Sequence, residues 1–109
     1  MQLSVEYPAL MPGRDPPNPY SLPEIAKRLK LLREALGKTQ AVMGDLAGVT
    51  DKAWQNYEAG IRRIEIDAVT RLRAALGVTS EWVYYGNQYQ MPDELLDSMR
   101  LALKRRAKP

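Results

Sequence analysis

The chain has 109 residues, 45% of them hydrophobic, with no cysteine, no histidine and a formal net charge of +3. That is the length of one domain, and the lack of cysteine excludes disulfides. Without His or Cys the commonest general base, the commonest activated nucleophiles and most zinc sites are missing. No Gly-rich phosphate loop or metal-ligand spacing replaces them, so the reading is of a protein that is no enzyme and takes no cofactor or metal.

The mildly basic balance, Lys+Arg 16 against Asp+Glu 13, permits a nucleic-acid partner. The bases crowd at Arg100, Lys104, Arg105, Arg106 and Lys108. No apolar stretch approaches the roughly 20 residues that a bilayer demands. The first residues lack a basic region followed by an apolar run. No membrane partner and a cytoplasmic location are therefore expected.

Residues 1–20 carry Pro8, Pro12, Pro16, Pro17 and Pro19, with Pro23 just beyond. Such a segment forms neither a helix nor a central strand, and it reads as an extended arm with polyproline character. It is either a loose tail or an arm that docks through Leu3, Val5, Tyr7, Leu10 and Met11. A first helix begins near Ser21, where Ser21 and Glu24 fit a capping box and Pro23 suits the first turn. Ile25, Leu29, Leu32 and Leu36 recur at helical spacing, and Gly37 stops the helix. Thr39 caps a second helix that runs to about Ala47. Gly48 allows a sharp reversal, because it takes positive φ at little cost. Thr50 caps a third helix ending at Ala59, with Gly60 as its terminator. A fourth spans roughly Glu65 to Leu76, with Ile66, Val69, Leu72 and Leu76 facing inward and Gly77 closing it. Ser80 caps a short fifth helix through Tyr85, stopped by Gly86. A sixth runs from Pro92 to about Arg106. Its acids Asp93 and Glu94 and its bases Arg105 and Arg106 suit opposite ends of the helix dipole. Leu95, Met99, Ala102 and Leu103 form its apolar stripe. No strand alternation and no repeat is visible. The division expected is an arm over 1–20, a helical domain over 21–86 and a basic C-terminal helix over 87–109.

Residues 39–60 say most about function. Two short helices joined by a tight turn at Gly48 have the layout of a DNA-binding helix-turn-helix, whose second helix enters the major groove. Met43, Ala47, Val49, Trp54 and Tyr57 are assigned to the interior. Gly44 lets the two helices approach, and it is read as matched to Trp54, the small residue making room for the large one. Gln40, Asp51, Lys52, Gln55 and Asn56 are left facing outward. Asn and Gln can offer two hydrogen bonds to adenine, and Lys can donate to guanine. Asp51 either accepts from cytosine or supports the helix N-terminus. Val42 and Leu46, four apart on one face, are either bare or covered by the arm, the sixth helix or a second protein.

Several pieces together resemble the lambda-repressor-like family, also described as Cro-type or Xre-type helix-turn-helix. They are Leu32-Arg33-Glu34-Ala35-Leu36-Gly37, Thr39-Gln40, Ala47-Gly48-Val49-Thr50, Tyr57-Glu58-Ala59-Gly60 and the run from Leu76 to Gly86. The resemblance implies an all-α fold: a compact five-helix bundle, here with a proline-rich N-terminal arm and an additional C-terminal helix. It implies base contacts by Gln40, Asp51, Lys52, Gln55 and Asn56, with Gln40 also near the DNA backbone. It implies phosphate contacts by Lys38, Thr39, Thr50, Arg62 and Arg63, and a structural pair of Arg33 with Glu58. The function it implies is sequence-specific binding of double-stranded DNA as a homodimeric transcription regulator, most simply a repressor. A DNA-binding antitoxin, or a protein-interaction module on the same fold with a partner at the arm or the C-terminal helix, is the alternative.

Overall fold

Three hydroxyls set where three helices start. Thr39, Thr50 and Thr79 have extended backbones, and their Oγ1 atoms accept from the N–H groups of Val42, Ala53 and Trp82 at 3.1, 3.0 and 3.1 Å. Each bond satisfies a donor that has no partner inside its helix. The computed structural model describes residues 18–107, which form α1 (Leu22–Leu36), α2 (Gln40–Ala47), α3 (Asp51–Glu58), α4 (Ile66–Leu76), α5 (Ser80–Tyr85) and α6 (Asp93–Ala107). Among the described residues there is no strand, so the fold is all-α. The expected arm lies, up to residue 17, outside the described residues.

The core is built where α1 crosses α3, α5 and α6, and where α2 packs on α3 and α4. Leu29, Leu32, Met43, Trp54, Leu72, Val78 and Val83 are fully shielded from solvent. Met43, Ala47, Trp54 and Tyr57 are buried as expected, and Val49 is partly buried against the same core. Leu46 also packs partly buried on this core, whereas Val42 remains 40% exposed. On α6 the residues Leu95, Met99 and Ala102 bury one stripe, and α6 packs against α1.

The structure corrects several local expectations. Ser21 is the N-cap of α1, but its side chain makes no capping bond, so the capping box with Glu24 does not form. Pro23 in the first turn and a turn from Asn18 O to Ser21 N at 3.0 Å set the start of the helix instead. The fifth helix is capped by Thr79 and not by Ser80, which is its first residue. Ile66 points outward with 63% of its surface exposed, while Ile64, in the link before α4, is buried. The link tucks its own isoleucine into the core, so the helix begins with that space filled. Leu103 also faces solvent, since the buried stripe of α6 ends at Ala102.

Gly44 lets α2 approach the start of α3, as expected, but the atoms nearest to it are not those of Trp54. A Cβ there would lie 3.0 Å from the carbonyl oxygen of Val49 and 3.1 Å from that of Thr50. The closest approach is therefore to the backbone entering α3. Gly48, at φ +71°, makes the reversal between α2 and α3, and its N–H bonds to Asp45 O at 3.2 Å.

Candidate nucleic-acid interface

The residues of α3 divide cleanly by face. Trp54 and Tyr57 point into the core, with their rings edge to face at 5.9 Å between centroids. Asp51 and Lys52 are exposed, and Gln55 and Asn56 are half-buried. The Gln55 amide donates to Asp51 Oδ1 at 3.0 Å, which holds the two side chains together on the outer surface. Asp51 also lies in the first turn of α3, where the helix dipole favours an anion. Lys52 takes part in no ion pair among the described residues. The Asn56 main-chain oxygen accepts from Ile61 N at 3.1 Å and Arg62 N at 3.3 Å, which closes the end of α3.

Glu58 anchors this helix from behind. Its Oε2 accepts from Arg33 Nε at 2.6 Å and from Trp54 Nε1 at 2.5 Å. Its Oε1 accepts from Arg33 Nη2 at 3.0 Å and from Gln40 Nε2 at 3.2 Å. Burial, with only 5% of the side chain exposed, pushes the carboxyl upward; the bonds from Arg33, Trp54 and Gln40 outweigh it and leave it below the ordinary carboxylate range. The same hydrogen bond from Arg33 to Glu58 raises the guanidinium, against the opposing effect of its own burial. The expected pair of Arg33 and Glu58 is thus formed, as a two-pronged contact. Trp54 and Gln40 are partners that sequence reasoning missed. The spacing of Trp54 to Glu58, one helical turn, was the available signal for the first.

Gln40 therefore sits half-buried with one amide N–H on Glu58, and it keeps its oxygen and a second N–H. Lys38 stands just before α2, and Thr39 and Thr50 spend one lone pair each as caps. Arg62 pairs with Glu65 at 2.7 Å in an exposed contact. Arg63 is held differently. Its guanidinium lies 4.1 Å from the centre of the Tyr20 ring and donates to the Tyr20 carbonyl. Tyr20 in turn stacks on Tyr85 at 5.5 Å and meets Tyr84 edge-on at 5.9 Å. Gln40, Asp51, Lys52, Gln55 and Asn56 are thus gathered on α2 and α3, while Arg63 is tied to the residues before α1.

No helix among the described residues is long and apolar enough to cross a membrane. Residues 24–82 match the family model of a helix-turn-helix domain. The chain is also 32% identical over 72 residues to the SPbeta prophage-derived uncharacterized HTH-type transcriptional regulator YonR of Bacillus subtilis (strain 168). That alignment covers 65% of this chain and 67% of the relative. No solved structure matches the chain significantly. The buried back of α3, its polar front, the glycine reversal and these matches lead to one conclusion: the chain belongs to the Xre-like helix-turn-helix family of DNA-binding transcriptional regulators.

Proposed function

We propose that this protein is a cytoplasmic, non-catalytic repressor that binds a DNA operator as a homodimer. The observation that carries this reading is the two-faced α3: Trp54, Tyr57 and Glu58 hold it rigidly from behind, while Asp51, Lys52, Gln55 and Asn56 stand toward the opposite side. In this reading Lys52 and Asn56 read base edges, the Asp51–Gln55 pair contributes to specificity, and Gln40 contacts the DNA where α2 meets it. Lys38, Thr39, Thr50 and Arg62 hold phosphates, with Arg63 assisting from its place on Tyr20.

Dimerisation is supported by exposed apolar side chains beyond α3. Tyr20, Ile66 and Tyr85 border one shallow depression and remain exposed. For a dimer formed there to read successive major grooves, its two α3 helices must stand about 34 Å apart. Selecting bound sequences from a random DNA pool tests the whole reading. Expected is a palindromic motif with half-sites about one helical turn apart. Failure to bind any duplex at low salt overturns it.

A further inference from the structure

Arg33, Glu34, Gly37, Lys38, Ala102, Arg105 and Arg106 surround an open groove, where the end of α6 meets the end of α1. Of its bases, two are spent on acids. Arg33 holds Glu58, and Arg106 donates through Nε to Glu34 Oε1 at 2.9 Å. The Arg106–Glu34 pair bridges α6 to α1, and Lys38 lines the same groove. Arg105 and Lys38 take part in no ion pair among the described residues. Two like charges flanking one groove repel each other, and an anion between them turns that cost into attraction.

We propose that this groove holds a phosphate of the DNA duplex, clamped between Lys38 and Arg105, so that α6 extends the DNA-binding face. The inference rests on the reading of the chain as a DNA-binding protein. The occupant is a duplex phosphate because Lys38 leads directly into Thr39 and Gln40, at the start of α2. The groove is therefore continuous with the proposed interface. Its role is to add affinity without sequence preference, since phosphates carry no base identity. Arg105, outside the matched residues 24–82, becomes a binding residue.

The test is a salt titration of the full chain on its selected duplex and on a scrambled one, comparing the wild type with Arg105→Gln and with Arg73→Gln. Arg73 is an exposed base on α4 and controls for net charge alone. Expected for Arg105→Gln is weaker binding to both duplexes by the same factor. Its log–log salt slope should be shallower by about 0.9 unit, with an unchanged thermal melt. Arg73→Gln should keep the wild-type slope. A steep wild-type slope that Arg105→Gln leaves unaltered overturns the clamp alone, and so does an equal loss of slope in Arg73→Gln. A wild-type chain that binds no duplex overturns the DNA-binding reading and the clamp together.

Discussion

Glu58 connects three helices through one carboxylate, and its burial makes its charge costly to leave unmatched. Removing that charge strands Arg33, so Glu58→Gln should destabilise the protein by about 3 kcal/mol, read by chemical denaturation. The carboxyl lies below its ordinary value of 4.5 in the folded state. Its stabilising contribution is therefore complete above that pH and is lost as pH falls through the lower, folded-state value. Glu58→Gln should remove this part of the acid sensitivity. At the outer surface, Lys52→Ala and Asn56→Ala should each reduce discrimination between operator and mutated operator by about 1–3 kcal/mol. Arg62→Ala should weaken all sequences alike. The pair of Arg33 and Glu58 was legible through the family resemblance. That Trp54 and Gln40 also reach Glu58 was not, because it depends on how closely α1, α2 and α3 cross.

Among the elements, α2 and the start of α3 approach each other closely at Gly44. Gly44→Ala would gain about 1 kcal/mol from helix propensity. The new methyl would press on two carbonyl oxygens of the turn, which have no rotamer to change. A net loss of stability is expected, and Gly44→Val should lose more; a thermal melt above wild type for Gly44→Ala would contradict this. The caps differ in setting. Thr39 and Thr50 are exposed, whereas Thr79 is buried. Thr79→Ala leaves the Trp82 N–H without a partner away from water. It should cost about 2 kcal/mol, against about 1 kcal/mol or less for Thr39→Ala. The sequence reading assigns the cap of α5 to Ser80 rather than to its neighbour Thr79. Burial of Thr79, whose N–H also meets Met91 Sδ at 3.4 Å, selects Thr79 instead.

At the scale of the molecule, α6 joins the core through Leu95, Met99 and Ala102, although it lies outside the family match. Met99→Ala should cost about 2–5 kcal/mol in one cooperative transition, if α6 and the bundle unfold together. The exposed Ile66 beside Tyr20 and Tyr85 gives the second prediction. Ile66→Asp should leave the melt of the single chain near wild type and shift sedimentation toward monomer. Operator affinity should fall with it, because each half-site would then bind alone.

Helix periods, the caps at Thr39 and Thr50, the glycine reversal and the polar residues of α3 were all readable from the sequence. Each depends on backbone preferences and side-chain spacing within a few consecutive residues. Tertiary packing decided which of Ile64 and Ile66 fills the core, what Gly44 must clear, and which bases remain without an acid. Those outcomes depend on distances between segments far apart in the chain, set by helix crossings rather than by any local pattern. The proposed phosphate groove is one such case: Lys38 and Arg105, far apart in the sequence, line it together only because α6 packs on α1.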